Sequence, residues 1–138
     1  MKTNLFWLFT IAILLNSCNK TIEEECATKK MEVIATAYNS LAYQTSSNPH
    51  ITAFGDSLIP GLRYIAVSRD LIDSGLVHNT RVKIEGFDSL FIVKDKMNRR
   101  WRKRIDIYMG IDVKKAKIWG KKEVNIEYCI QTLDSISN

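Results

Sequence analysis

Residues 94–110, KDKMNRRWRKRIDIYMG, carry two aspartates on either side of a run of basic residues. Asp95 ends one apolar, strand-like stretch, and Asp106 lies inside a second one. The two-residue period of a strand puts Ile105 and Ile107 on one face and Asp106 on the other. If the isoleucines face the core, the Asp106 carboxyl is held on a rigid strand beside a cationic loop, as an acid catalyst for a sugar polymer would be. The alternative is an ordinary solvated aspartate paired with a nearby arginine.

The charge of the chain favours a polyanionic partner. The 138 residues are 46% hydrophobic and 25% charged, which is typical of one folded domain. The net charge is +5, and the excess is local: residues 94–104 carry seven Lys or Arg against one Asp, and residues 114–122 carry five Lys and no acid. Such patches concentrate polyanions near the surface. Nucleic acid and an anionic cell-wall polymer are the two candidates.

The N-terminus indicates export. Residues 5–15, LFWLFTIAILL, form an apolar run that is too short to span a bilayer as a helix but has the length of a signal-peptide core. The following Leu15-Asn16-Ser17-Cys18 resembles the lipobox of bacterial lipoproteins. We expect residues 1–17 to be a signal peptide and Cys18 to be lipidated. The alternative is a plain secretory signal cut after Ser17. In both cases the mature chain leaves the cytoplasm, so nucleic acid is not an expected partner.

Residues 18–31 are polar and predict a short stalk after the lipidated cysteine. Cys26 and Cys129 flank the domain, and in an oxidising compartment they are candidates for a disulfide. The two histidines, His50 and His78, are far apart in sequence and no Cys-x-x-Cys pattern occurs. We therefore expect neither a metal site nor a cofactor.

Short strands dominate the rest of the chain. They are predicted at residues 32–39, 51–54, 64–67, 81–85, 90–94, 105–109 and 124–128. Two short helices are predicted, one after Ser68 and one from Val113 to Trp119, which Gly120 ends. This spacing predicts a mainly β protein built as a small six-stranded closed barrel over residues 32–129, followed by a polar tail at residues 130–138.

Several segments, in their order and spacing, resemble the three-aspartate ("3D") domain family, whose barrel is similar to the catalytic double-psi β-barrel of membrane-bound lytic transglycosylases. The matching pieces are Ala35-Thr36-Ala37-Tyr38, Thr52-Ala53-Phe54-Gly55, Ile65-Ala66-Val67, Val82-Lys83-Ile84-Glu85-Gly86, Asp95, Arg104-Ile105-Asp106-Ile107-Tyr108 and Ala116-Lys117-Ile118-Trp119-Gly120. The resemblance covers residues 33–128. It implies a double-psi barrel.

Two of the three family aspartates map onto Asp95 and Asp106. The family's usual Ile-Ala-Val-Asp-Pro is replaced here by Ile65-Ala66-Val67-Ser68-Arg69, so either Ser68 stands in for the acid or Asp70 takes over its role.

The resemblance implies that Asp106 is the catalytic acid, with Asp95 beside it raising its pKa. One acid suffices if the substrate's own C6 hydroxyl attacks and gives a 1,6-anhydro product, whereas ordinary glycosidases use two carboxylates. Further candidates for contacts with substrate are Tyr38, Thr36, Thr52, Ser68, Asp70, Arg99, Arg100, Trp101, Arg104 and Tyr108.

We therefore expect a monomeric cell-envelope lipoprotein, held by lipid on Cys18 at the outer membrane or another periplasm-facing membrane. Its expected partner is the peptidoglycan glycan strand, and its expected activity is lytic transglycosylase cleavage of the MurNAc–GlcNAc bond. Two alternatives remain: a non-catalytic peptidoglycan-binding barrel, and a small interaction lipoprotein. The products of peptidoglycan digestion distinguish a lytic transglycosylase from these two alternatives.

Overall fold

The computed structural model describes residues 26–41 and 50–131. The expected signal peptide, the lipidation site Cys18, most of the expected stalk and all but two residues of the expected tail lie outside the described residues. Among the described residues, no helix is both long enough and apolar enough to cross a bilayer.

Six strands and two helices follow one another along the chain. They are β1 (Cys26–Tyr38), β2 (Tyr64–Val67), α1 (Arg69–Asp73), β3 (Arg81–Ile84), β4 (Phe91–Lys96), β5 (Arg104–Tyr108), α2 (Val113–Trp119) and β6 (Lys122–Gln131). The strands close into one barrel in the order β1-β5-β2-β4-β3-β6. β1 pairs parallel with β5 and β2 with β4, and the other neighbours are antiparallel. The predicted mainly β class, the six-stranded closed barrel and the two short helices are confirmed.

The core fills the inside of the barrel with branched aliphatic side chains from every strand. Alternation supplies them: in β3, Val82 and Ile84 are buried and their neighbours are exposed. The fully buried set includes Val33, Ile65, Val67, Val82, Ile84, Val93, Ile105, Ile107 and Ile126. Interior positions of small barrels are filled in this way by side chains, which leaves the outer face for chemistry.

The first strand is longer than the sequence pattern predicts. β1 begins at Cys26, six residues before the predicted start at Glu32, because residues 26–35 pair with β6 as an antiparallel ladder. Residues 26–31 are therefore strand, although their polar composition indicated a stalk. β6 likewise runs two residues past Cys129, to Gln131.

A disulfide joins Cys26 to Cys129, whose Cα atoms are 5.5 Å apart, and ties the start of β1 to the end of β6. Structural disulfides of this kind are typical of proteins exported from the cytoplasm.

The predicted strand at residues 51–54 is not formed. Ile51 makes only an isolated bridge to Ser57, and the intervening residues turn. Thr52 explains the turn, since its hydroxyl accepts hydrogen bonds from the N–H groups of Phe54 and Asp56. A threonine that bonds its own backbone in this way stabilises a turn at the expense of a strand.

Candidate active site on the outer face of the barrel

Four residues from four adjacent strands lie side by side across the outer face. Thr36 on β1 pairs with Asp106 on β5, Asp106 pairs with Ala66 on β2, and Ala66 pairs with Asp95 on β4. We call these four residues the acidic row. Ile105 and Ile107, on either side of Asp106, are buried in the barrel, so the Asp106 carboxyl is directed outward as the sequence predicts.

A register shift brings Asp95 into the acidic row. Ile65 pairs with Val93, but the next residue, Ala66, pairs with Asp95, so Lys94 is left as an extra residue in β4. Without the shift, Asp95 would face the same way as the buried Val93. Irregularities of this kind often re-aim a side chain beside a functional site. The two aspartates therefore share one face although strict alternation would separate them.

The Asp106 carboxyl is mostly buried and has one side-chain hydrogen-bond donor. The Thr36 hydroxyl donates to its Oδ1 over 2.9 Å. Burial raises the pKa of Asp106 to about 6; the Thr36 hydrogen bond and the charge of Arg104 act in the opposite direction, and the charge of Asp95 adds to the rise. In the described part of the chain, no Lys, Arg or His nitrogen lies within 4.0 Å of this carboxyl. The prediction of a raised pKa at Asp106 thus agrees with the geometry.

Asp95 is held by the backbone rather than by a cation. Its Oδ1 accepts from the N–H groups of Ala53 and Lys96, both over 2.8 Å. Burial raises the pKa of Asp95, and these two hydrogen bonds only partly offset it. The turn at residues 52–56 therefore supplies a donor to the acidic row, and Thr52 acts through that turn. The Thr52 side chain is itself buried and bonds only backbone N–H groups.

Tyr38 lies next to the acidic row. Its ring is 5.4 Å from that of Tyr108, and its hydroxyl is buried with no hydrogen-bond partner among the residues that the structure describes. Burial raises the pKa of Tyr38, and the charges of Asp95 and Asp106 raise it further. Tyr108 differs, because it is buried with its hydroxyl 2.8 Å from the Ser40 hydroxyl. Both hydroxyls are buried, and contact of Tyr38 or Tyr108 with a ligand stays a prediction.

Ser68 and Asp70 support the chain that leads into β5. The Ser68 side chain is fully buried, and its hydroxyl accepts from the Arg104 N–H over 3.0 Å. Asp70 accepts from the Lys103 N–H over 2.8 Å. Burial acts to raise the pKa of Asp70. The hydrogen bonds that the Asp70 carboxylate accepts and the charge of Arg102 outweigh burial and hold the pKa below its ordinary value. Neither side chain joins the acidic row, and both support the chain that enters β5. A substrate contact of either residue stays a prediction.

The basic loop, residues 98–103, presents cations around a tryptophan. Arg99, Arg100 and Arg102 are exposed. The guanidinium groups of Arg100 and Arg104 lie 4.8 Å and 3.9 Å from the centroid of the Trp101 ring. Trp101, which sequence analysis expects to stack on a sugar, is therefore in cation–π contact with two arginines. The arginines, more than Trp101, are available to a ligand.

Sequence reasoning missed a second polar cluster beside Asp95. Asp56 bonds the Lys94 ammonium over 2.8 Å and also pairs with the His78 ring, which stacks on Phe54. The Lys94 hydrogen bond is the main cause that lowers the pKa of Asp56; burial opposes it and the His78 hydrogen bond adds to it. These three residues are scattered along the chain, so no local pattern could have revealed them.

In the described residues, no three His, Cys, Asp or Glu side chains converge as metal ligands would. A shallow pocket of about 150 Å³ opens next to the end of β5, between Leu62, Phe87, Phe91 and Met109, and does not include the acidic row.

Comparisons with known proteins identify the fold and no family. No family model and no curated protein matches the sequence. The Streptomyces papain inhibitor has a similar structure, with a TM-score of 0.51 at 16% identity over 74% of this chain and 94% of that one. An expansin of Clavibacter michiganensis is more distantly similar: its apo form has a TM-score of 0.44 at 16% identity. A mutant of it in complex with cellohexaose has a TM-score of 0.45 at 14% identity.

The matches cover 79% and 80% of this chain and about half of the expansin chains, 53% and 54%. At 16% identity, the similarity to the papain inhibitor shows a shared fold and nothing finer. Membership of the three-aspartate family stays a prediction.

Proposed function

We propose that this protein is a cell-envelope lipoprotein that cleaves the MurNAc–GlcNAc bond of peptidoglycan by a lytic transglycosylase mechanism, with Asp106 as the single catalytic acid. The observation that carries the proposal is the state of the Asp106 carboxyl. It lies on the outer face, has a pKa of about 6 and has no ion pair in the described part of the chain. A carboxyl that is protonated in mildly acidic conditions is able to donate a proton to a leaving oxygen.

The chemistry needs one proton carrier. Asp106 donates its proton to the glycosidic oxygen as the bond to C1 breaks, and the substrate's C6 hydroxyl oxygen bonds to C1. The Asp106 carboxylate then takes the hydroxyl proton, which restores the acid and leaves a 1,6-anhydro sugar. Water is not consumed, so no second carboxylate is required as base or nucleophile. Burial is the main cause of the raised pKa of Asp106, and the charge of Asp95 adds to it.

The basic loop supplies binding. Its arginines are exposed, and the carboxylates of the peptide stems of peptidoglycan are the anions they would meet. Arg104, which follows this loop at the start of β5, lies over Trp101 and forms no ion pair with Asp106 in the described part of the chain.

The proposed location follows from the N-terminal sequence together with the disulfide. Lipid on Cys18 would hold the barrel at a membrane of the cell envelope, where its substrate lies.

Digestion of purified peptidoglycan tests the proposal. The protein and its Asp88→Asn variant, which changes an exposed aspartate on the β3–β4 turn, are expected to release 1,6-anhydro-muropeptides. Asp106→Asn is expected to lower the rate about 10²–10⁴-fold, as loss of a general acid does. The rate should fall as the pH rises through about 6, because the acid loses its proton there. Equal product from Asp106→Asn and Asp88→Asn would contradict the proposal.

A non-catalytic peptidoglycan-binding barrel is the second candidate. The observation that favours it is that the shallow pocket next to the end of β5 does not include Asp106. The same digestion distinguishes the two candidates. Sedimentation with insoluble wall and no released product, unchanged by Asp106→Asn and weakened by Arg99→Gln with Arg100→Gln, identifies a binder.

A further inference from the structure

Exposed apolar side chains gather on two neighbouring segments, residues 59–62 and 109–118. In the described part of the chain seven large apolar residues are well exposed, and four of them belong to this surface: Ile59, Leu62, Ile111 and Ile118. The two segments touch, since a Cβ added at Gly110 would lie 3.4 Å from the Pro60 Cβ. Leu62 and Lys115 line the same shallow pocket. The four side chains therefore belong to one surface, although 59 positions separate the first from the last in sequence.

The helix α2 lies on the barrel with a wide exposed face. None of its residues is fully buried. Ile118 is 73% exposed, and Ile111, just before the helix, is 63% exposed. Lys114 and Lys115 precede Ile118 by four and three residues, so all three share one side of the helix. Two isoleucines thus project to solvent on either side of a pair of lysines, where a solvated helix would carry polar groups.

The cations of this surface are not neutralised. Residues 113–122 include five lysines and no acid. Asp112 is adjacent, but its carboxylate accepts from the Lys115 N–H over 2.9 Å as the helix N-cap. Among the described residues, the ion pairs are Lys30–Glu127, His78–Asp56 and Lys94–Asp56, so the lysines of α2 are unpaired. We call Ile59, Leu62, Ile111, Ile118, Lys114, Lys115 and Lys117 the lysine–isoleucine surface.

We propose that the lysine–isoleucine surface docks onto an anionic lipid bilayer, with the isoleucines entering the headgroup region and the lysines contacting lipid phosphates. Charge complementarity selects this occupant. Lysine is depleted from protein–protein interfaces, which are enriched in aromatic residues and arginine. Segments that lie in a membrane interface bind through apolar side chains that enter the headgroup boundary and through lysines that are attracted by anionic lipid.

This docking is independent of the proposed glycan chemistry. The basic loop precedes β5 and the lysine–isoleucine surface follows it, so the two groups of cations are separate segments. A barrel that rests on lipid through α2 keeps a fixed orientation to the membrane, whatever it binds on its acidic row.

A label at position 118 tests the proposal locally. The full chain carrying Ile118→Cys and Cys18→Ser is labelled with an environment-sensitive fluorophore and mixed with vesicles of phosphatidylglycerol and phosphatidylcholine, or of phosphatidylcholine alone. Because the readout is local, membrane association through residues 5–15 does not produce it. We expect a blue shift and quenching by nitroxide-bearing lipid only with the anionic vesicles. A label at Val77→Cys, a half-exposed site before β3, should not respond.

Two matched charge changes complete the test. Lys114→Gln with Lys117→Gln should lower the affinity for anionic vesicles that label 118 reports by more than about tenfold, since each lysine near an anionic surface contributes severalfold to that affinity. Arg99→Gln with Arg102→Gln removes the same charge from the basic loop and should leave the signal in place. The proposal is overturned if label 118 stays in water, if neutral vesicles give the same response, or if both double variants lose it equally. A blue shift without vesicles would instead indicate contact with a second copy and would also overturn it.

Discussion

The ionisation of Asp106 gives the sharpest test of the site, and the substitution Asp106→Asn probes it. The folded protein raises the pKa of this carboxyl from the ordinary 3.8 to about 6. A pKa difference of about two corresponds to about 3 kcal/mol, and partial contact with solvent reduces the expected effect to about 1–3 kcal/mol.

The sign of the effect follows from proton binding. The folded state binds the Asp106 proton more tightly than the unfolded state, so between about pH 4 and pH 6 it carries more protons. The stability due to this group is fully present below about pH 4 and is lost as the pH rises through about 6. Asparagine keeps the acceptor for Thr36 and does not ionise. The unfolding free energy of Asp106→Asn minus that of the wild type should therefore grow by about 1–3 kcal/mol from pH 4 to pH 8.

Urea unfolding of the oxidised protein, followed by circular dichroism across this pH range, measures the difference. Asp88→Asn, at an exposed site, should show a difference that stays flat within about 0.5 kcal/mol. Thr36→Val removes a hydrogen bond that favours the charged form, so carboxyl NMR titration should show the pKa of Asp106 moving above 6. A flat difference for Asp106→Asn, or a lower pKa in Thr36→Val, would refute the reasoning that assigns an acid role to this carboxyl.

Two further predictions concern the frame around the site. Replacing Cys26 and Cys129 by serine removes a link across 103 residues, which should lower the unfolding free energy by about 2–5 kcal/mol in denaturant titrations; a fully reduced wild type should match the variant. Ser68→Ala leaves the partly buried Arg104 N–H without its acceptor and should cost about 1–3 kcal/mol. Ala at the exposed Ser57 should cost less than about 0.5 kcal/mol, and equal losses at the two sites would contradict the support assigned to Ser68.

Local pattern in the sequence determined the class of this protein. The alternation of Ile105, Asp106 and Ile107 set which side of β5 is buried, because strand geometry allows only two faces. Cys26 and Cys129, the two cysteines other than the expected lipidation site, were candidates for a disulfide before any geometry was known, and Asp112 with Gly120 marked the ends of α2. These inferences depend on neighbours in sequence.

The site itself depended on tertiary structure. The register of β2 against β4 turned Asp95 to the outer face, and barrel closure placed it in line with Asp106. Closure also buried Ser68, where sequence analysis proposed a substrate contact. No local signal specifies these outcomes, because pairing between strands distant in the chain decides register, burial and therefore pKa. The sequence by itself determined which side of β3 and β5 is apolar. Only the closed barrel decided where β1 begins, that residues 51–54 turn, and which polar side chains meet.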